Sequence, residues 1–126
     1  MVRVLFVCLG NICRSPTAHG VLQQKLAERG WQYQVEVDSA GTAAWHAGKA
    51  PDSRSTVAAA RRGYDLSTLR ARQVTAADLD YFDYVLAMDD NNLHNLQQLA
   101  GSASCTQPQL FLQQFGRRFQ VREVPD

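Results

Sequence analysis

Short apolar runs alternate along this chain with segments whose apolar residues recur at helical spacing. The run Val4-Leu5-Phe6-Val7 predicts a buried strand over residues 3–8. Residues 16–29 carry apolar side chains every three or four positions, which predicts a helix that ends at Gly30. Apolar and polar residues then alternate over residues 35–40 and predict a half-buried strand. This strand, helix and strand predict a right-handed parallel crossover.

The second half of the chain continues the alternation of helices and strands. We predict a helix over residues 53–62, capped by Asp52 or Ser53, and a short helix opened by a capping box at residues 75–78. An apolar strand follows over residues 84–88, and then a helix from about Asn91 to Ala100, capped by Asp89 or Asp90 and ended by Gly101. Residues 110–112 are predicted to form a fourth strand. Residues 41–50 are rich in glycine and small residues, which indicates a surface loop.

This order of elements predicts one α/β domain whose parallel sheet carries helices on both faces. Ligands of such sheets bind beyond the carboxyl ends of the strands. Cys8 lies at one such end, and the strands that end near Ala40 and Met88 should end at the same rim.

Composition and charge narrow the class of protein. A chain of 126 residues is long enough for one domain with a hydrophobic core. Thirteen Lys and Arg residues against twelve Asp and Glu residues give a formal net charge of +1, which argues against a nucleic-acid partner. No apolar run approaches membrane-spanning length, so we expect no membrane partner. Three cysteines do not make a disulfide framework.

The stretch C-L-G-N-I-C-R-S-P, from Cys8 to Pro16, joins the first strand to the first helix. A tight loop before a helix binds anions, because backbone N–H groups turn inward and the helix dipole adds positive charge. Gly10 permits a backbone φ above zero, and Asn11 is among the few other residues that tolerate it. Pro16 suits the first helical turn, where its missing N–H costs nothing.

Two side chains make this loop more than an anion cradle. Cys8 lies where the amides and the dipole converge, so we expect its thiolate form to be stabilised. Ser15 can donate a hydrogen bond to that sulfur, and Arg14 offers a planar fork that fits two oxygens of a phosphate. A nucleophile beneath a tetrahedral oxyanion suits covalent phosphoryl transfer. The sequence therefore predicts a phosphatase site.

The loop resembles that of the low-molecular-weight protein tyrosine phosphatases. The similarity continues through residues 38–42, 72–73, 82–89 and 124–126, and so covers essentially the whole chain. It implies a four-stranded, Rossmann-like sheet of the phosphotyrosine phosphatase I type and hydrolysis of phosphotyrosine through a phosphocysteine intermediate. It implies catalytic roles for Cys8 and Arg14, and phosphate or substrate contacts from Leu9, Gly10, Asn11, Ile12, Cys13, Ser15 and Trp45. No cofactor is implied, and the expected partners are phosphotyrosine proteins and inorganic phosphate in the loop.

The resemblance also assigns a general acid. Val124-Pro125-Asp126 matches the start of the family's acid loop, which makes Asp126 the proton donor. In the family an aromatic pocket wall and a final helix follow this aspartate. We therefore expect residues 1–126 to form a single phosphatase domain without the family's C-terminal loop end and final helix.

Further expectations concern residues around the loop. In the family a polar side chain from the segment matching residues 38–40 holds the loop asparagine, which implies that Ser39 supports Asn11; a local backbone hydrogen bond of Ser39 is the alternative. Ile12 and Trp45 are expected to form the walls of the pocket that accepts a phosphotyrosyl ring. For Trp45 the alternative is that its indole only packs within the loop. Similar cysteine pairs in the family make a protective Cys8–Cys13 disulfide a hypothesis.

Two thiols and His19 do not make a closed zinc site, so we expect no metal. A mechanism that needs a reduced thiol predicts a cytoplasmic location.

Three other functions stay open. A related branch of the family reduces arsenate, but it carries a cysteine pair where this chain has residues 89–92, and Cys105 is the cysteine further on. Another branch hydrolyses phosphoarginine and has threonine at the position of Ile12. A phosphotyrosine-binding module without turnover is the third.

Overall fold

A computed structural model describes residues 1–100, 106–116 and 121–125 of the chain. Four parallel strands form one sheet in the order β2-β1-β3-β4. The elements along the chain are β1 (Val2–Cys8), α1 (Arg14–Glu28), β2 (Val35–Gly41), α2 (Ser53–Arg61), α3 (Asp78–Tyr81), β3 (Tyr84–Ala87), α4 (Asp90–Ala100), β4 (Gln109–Leu110) and α5 (Phe111–Phe115). The predicted α/β class and the parallel sheet are confirmed.

Strand β1 is the centre of the sheet, and its alternating side chains separate two hydrophobic layers. Leu5 and Val7 point into a core that α4 closes from one side through Leu96. Phe6 and Cys8 point to the opposite face, where Ala18 and Leu22 of α1 and Phe111 of α5 pack. Because both faces of β1 are covered, the strand reads as an unbroken apolar run.

Most element boundaries agree with the sequence pattern. The capping box predicted at residues 75–78 is only half present: the Asp78 carboxylate accepts the backbone N–H of Thr75 at 2.8 Å, but α3 begins at Asp78 with Ala77 as its N-cap and no side-chain cap. Asp89 caps α4 by accepting the N–H of Asn92 at 2.8 Å. Helix α1 begins at Arg14 rather than Pro16, so the proline is the third helical residue and still within the first turn.

The fourth strand was predicted wrongly in part. Only Leu110 of the predicted residues is in β4, which consists of Gln109 and Leu110, and the chain turns into α5 at Phe111. A short apolar run does not distinguish a strand from a helix. Here the run continues as a helix, in which Phe111 packs against Phe6 with ring centroids 5.2 Å apart. The predicted helix end at Gly101 and the thiol of Cys105 lie outside the described residues.

The carboxyl ends of the strands meet at one rim and are joined by backbone hydrogen bonds. Thr42 N–H donates to the Cys8 carbonyl at 2.9 Å, and Met88 N–H donates to the Val7 carbonyl at 3.1 Å. The N–H of Gly41 donates to the Arg72 carbonyl at 2.8 Å, which attaches the segment after α2 to the same rim. The loop that follows β1 is therefore surrounded by fixed backbone.

The face of the sheet beside α1 carries a broad apolar groove of about 1210 Å³. Its lining includes Phe6, Leu22, Leu86, Met88, Phe111 and Val124. Within the described part of the chain, no helix has the length and apolar character needed to cross a membrane.

Candidate active site

The sulfur of Cys8 is buried at the end of β1 and has two hydrogen-bonding groups beside it. Cys8 is 3% exposed. The backbone N–H of Asn11 donates to the sulfur at 3.3 Å, and the hydroxyl oxygen of Ser15 lies 3.0 Å from it. Both groups are able to donate a hydrogen bond to the sulfur.

Asn11 organises the loop around that sulfur. Its φ of 57° is the only left-handed value of a non-glycine residue in the described chain. Its side chain is buried, and both ends of the amide are hydrogen-bonded: Nδ2 donates to Ser15 Oγ at 2.8 Å, and Oδ1 accepts the N–H of Arg72 at 3.0 Å. Since Ser15 Oγ already accepts from Asn11, the hydroxyl hydrogen is directed to Cys8 or to the Ala40 carbonyl at 3.4 Å.

Gly10 lies close to a neighbouring side chain and does not have a left-handed backbone. The sequence analysis allowed it a positive φ, but the structure has positive φ at Asn11 and not at Gly10. A methyl group on Gly10 would lie 2.9 Å from Cδ2 of His46. A methyl group on Gly41 would lie 2.7 Å from the Leu9 carbonyl oxygen, so the end of β2 supports the loop backbone directly.

Arg14, at the other end of the loop, is anchored through its Nη1 atom. Its Nη1 donates to Asp89 Oδ2 at 2.8 Å and to the Val124 carbonyl at 3.0 Å. The Arg14 side chain is 9% exposed and that of Asp89 is 22% exposed, so the ion pair is partly desolvated. Val124 is fixed in turn, because its N–H donates to the Met88 carbonyl at 2.7 Å. The guanidinium is therefore oriented before any ligand binds.

These residues surround a small concave pocket of about 180 Å³. Its lining is Cys8, Leu9, Gly10, Ile12, Cys13, Arg14, Trp45 and His46. Asn11 and Ser15 are buried and do not appear in this lining. Trp45 lies at the pocket while 71% exposed, so its indole is available to a ligand. The helix α2 approaches the loop as well, since the N–H of Asp52 donates to the Ile12 carbonyl at 2.7 Å.

Among the described residues Ser39 makes no hydrogen bond to Asn11, contrary to the expectation from the resemblance. Its hydroxyl lies 2.9 Å from Nδ1 of His19. Ser39 pairs in register with Phe6, whose side chain faces α1, and alternation along the strand directs Ser39 to the same face. The partners of Asn11 are Ser15 and the Arg72 backbone instead.

His19 is buried, and its Nε2 has no hydrogen-bond partner among the described residues. Burial lowers the pKa of His19 below its ordinary value; nearby Asp38 opposes this change and Arg72 adds to it. We therefore take His19 to be neutral near pH 7.

Asp126 lies outside the described residues. No disulfide joins Cys8 to Cys13 here. In the described ranges, no cluster of three His, Cys, Asp or Glu side chains could hold a metal ion.

The sequence alone assigns no role in the site to three residues that the structure places there. Asp89 was read as a helix cap, although an acid at the carboxyl end of a strand beside a loop arginine is a recognisable signal. Arg72 was noted without a role, because its link to Asn11 spans 61 residues. His46 falls within the predicted surface loop of residues 41–50, and nothing local in the sequence indicates that it lies against Gly10.

Comparisons with known proteins agree with this geometry. The profile of the family "Low molecular weight phosphotyrosine protein phosphatase" matches residues 3–126. The low molecular weight protein-tyrosine-phosphatase YfkJ of Bacillus subtilis is 44% identical over 101 residues, which cover 80% of this chain and 65% of YfkJ. The human low molecular weight phosphotyrosine protein phosphatase is 43% identical over 95 residues, 75% of this chain and 60% of the human protein. The chain thus spans less than two thirds of the length of these two relatives.

Solved structures share the fold over the whole chain. The crystal structure of YfkJ superimposes with a TM-score of 0.93 and 38% identity, covering 100% of this chain and 79% of YfkJ. The structure of DARP, a Drosophila arginine phosphatase, superimposes with a TM-score of 0.87 and 32% identity, covering 100% of this chain and 80% of that one.

Proposed function

This chain belongs to the low molecular weight phosphotyrosine protein phosphatase family, and on that premise we propose that it hydrolyses aryl phosphate monoesters, phosphotyrosine in proteins above all, through a phosphocysteine on Cys8. One observation carries the proposal: a buried sulfur at the carboxyl end of the central strand has the Asn11 N–H and the Ser15 hydroxyl beside it. The oriented guanidinium of Arg14 lines the same pocket.

In the first step the Cys8 thiolate attacks phosphorus, and the bond to the phenolate oxygen breaks. Arg14 and the amides of residues 9–14 bind the equatorial oxygens, whose charge is spread in the transition state. The loop is held before substrate arrives by Thr42, Asp52 and Arg72, so little reorganisation is needed.

In the second step water attacks the phosphocysteine and restores the thiolate. The leaving phenolate needs a proton in the first step and the water must lose one in the second, and one carboxylic acid can serve both, contributing about 10²–10⁴ in rate. We assign this role to Asp126. Val124, two residues earlier, accepts a hydrogen bond from Arg14, which supports an acid arriving at this pocket.

The pocket also bears on which phosphate is accepted. Ile12 and the exposed Trp45 line it, and two apolar walls fit a flat phenyl ring. A phenol is a much better leaving group than an aliphatic alcohol, which favours phosphotyrosine over phosphoserine. The likeness to an arginine phosphatase makes phosphoarginine the second candidate substrate. A mechanism that needs a reduced thiol at Cys8 favours a cytoplasmic location.

Turnover of p-nitrophenyl phosphate, a phosphotyrosine peptide and phosphoarginine by the 126-residue chain tests the proposal. We expect the two aryl esters to be hydrolysed, vanadate to inhibit, and Cys8→Ser to abolish turnover. Activity that survives Cys8→Ser would overturn the mechanism. Binding of the peptide without hydrolysis would identify a binding module, and preference for phosphoarginine would reassign the substrate. A gain of phosphoarginine hydrolysis in Ile12→Thr would show that Ile12 sets this preference.

A further inference from the structure

Asn11 depends on a residue far away in sequence. Its Oδ1 accepts the backbone N–H of Arg72 at 3.0 Å, and its Nδ2 and backbone N–H serve Ser15 and Cys8. Both groups beside the sulfur are therefore connected to Asn11: one is its own backbone N–H, and the other is the Ser15 hydroxyl, which accepts a hydrogen bond from Asn11 Nδ2. The position of the Arg72 backbone consequently bears on the reacting atom.

The Arg72 side chain is clamped between two carboxylates. Nε donates to Asp38 Oδ2 at 3.2 Å and Nη2 lies 3.1 Å from the same oxygen. Nη1 and Nη2 donate to the two oxygens of Asp78 at 3.0 and 3.1 Å, a bidentate arrangement. Each carboxylate is itself anchored, Asp38 by the N–H of Ser39 at 2.7 Å and Asp78 by that of Thr75 at 2.8 Å.

The charges of this cluster support one another. Burial disfavours the charged form of Arg72, but the hydrogen bonds and charges of Asp78 and Asp38 outweigh it and raise the pKa of Arg72. Burial likewise disfavours the ionised Asp78, yet the hydrogen bonds from Arg72 and Thr75 outweigh it and lower the pKa of Asp78. Arg72 and Asp78 are therefore both charged near neutral pH.

We propose that Arg72 is a positioning residue for the reaction at Cys8: the clamp between Asp38 and Asp78 fixes the Arg72 backbone N–H, which holds Asn11 in its left-handed conformation. Every residue type except proline has a backbone N–H at this position, so the Arg72 side chain supplies the location of that N–H rather than the hydrogen bond itself. The inference rests on the phosphatase function proposed above.

The test compares Arg72→Met with Leu96→Val, a core change in α4 that touches none of the site's hydrogen bonds. We measure kcat and KM for p-nitrophenyl phosphate, with active sites counted by vanadate titration so that unfolded protein does not contribute. Arg72→Met is expected to lower kcat per site by about 10-fold to 10²-fold, because small displacements of catalytic groups cost that much. KM should stay nearly constant, since Arg14 and the other amides still bind phosphate. Leu96→Val should leave kcat per site unchanged.

A double-mutant cycle tests the route of the effect. Asn11→Gly keeps a residue that tolerates φ of 57° but removes the side chain that links Arg72 to Ser15. In the Asn11→Gly background, Arg72→Met should produce no further loss of kcat. Equal losses in both backgrounds, or unchanged kcat in Arg72→Met, would overturn the proposal.

Two further results separate the possible failures. Asp38→Asn weakens one side of the clamp and gives the same comparison if Arg72→Met does not fold; unchanged kcat in that variant would also overturn the inference. If the wild-type chain shows no hydrolysis at all, the phosphatase function fails first, and the thiol alkylation rate of Cys8 in the same variants then tests the positioning. Equal alkylation rates in wild type and Arg72→Met would refute it.

Discussion

Asp89 both pairs with Arg14 and caps helix α4, and two different substitutions distinguish these roles. Its Oδ2 accepts from Arg14 at 2.8 Å, while Oδ1 accepts the N–H of Asn92 and caps α4. Asparagine caps helices about as well as aspartate, so Asp89→Asn removes the charge beside Arg14 and keeps the cap. Asp89→Ala removes both.

The expected magnitudes differ between stability and activity. Loss of the cap costs about 0.5–2 kcal/mol, so Asp89→Ala should unfold more easily than Asp89→Asn by roughly that amount. Both variants remove the carboxylate charge of Asp89 from beside Nη1 of Arg14, while the hydrogen bond from Nη1 to the Val124 carbonyl does not involve Asp89. We expect both to lose about 10-fold to 10²-fold in kcat/KM, which corresponds to about 1.4–2.8 kcal/mol of transition-state stabilisation.

The assay combines urea unfolding with steady-state hydrolysis of p-nitrophenyl phosphate. Similar activities of the two variants, with different stabilities, would show that the ion pair orients Arg14. Wild-type activity in Asp89→Asn together with loss in Asp89→Ala would refute the reasoning, because the effect would then run through the helix cap.

Three further predictions concern residues around the loop. Ser15→Ala removes the hydroxyl beside Cys8 and should lower kcat by about 10-fold to 10²-fold, as for a hydrogen bond to a charged group; unchanged kcat would contradict this. Gly41→Ala would place a methyl group against the Leu9 carbonyl, so we expect about 1–3 kcal/mol of destabilisation and loss of turnover, measured by thermal melting and kcat. Because the pKa of His19 is lowered in the folded protein, its imidazole is protonated more readily in the unfolded chain as pH falls through about 6.5. The free energy of unfolding, measured by urea titration, should therefore decline below that pH. His19→Gln should flatten this part of the stability profile, and an unchanged slope would contradict the assignment.

The sequence predicts the fold well where information is local. The strand from Val2 to Cys8, the helix after it and the strand that ends at Gly41 follow from periodicity, caps and a glycine stop. Strand β4 was predicted only in part, because a strand of two residues is too short to show a periodic pattern. Its neighbour Phe111 begins α5 and packs against Phe6.

The candidate site divides in the same way. The Cys8 to Ser15 loop is contiguous, so its nucleophile, arginine and hydroxyl can be read directly. The groups that hold it come from far along the chain: Asp89 is 75 residues from Arg14, and Arg72 is 61 residues from Asn11. Such pairings depend on which strands are neighbours, and sequence pattern alone does not specify them.

The most direct test is to trap the covalent intermediate. The 126-residue chain is mixed with p-nitrophenyl phosphate, whose leaving group departs without a proton, so the first step does not require Asp126. Acid quenching within the first turnovers, followed by mass spectrometry, should find a phosphate on Cys8 and none in Cys8→Ser. Hydrolysis without any phosphorylated cysteine, or with the phosphate on another residue, would contradict the account.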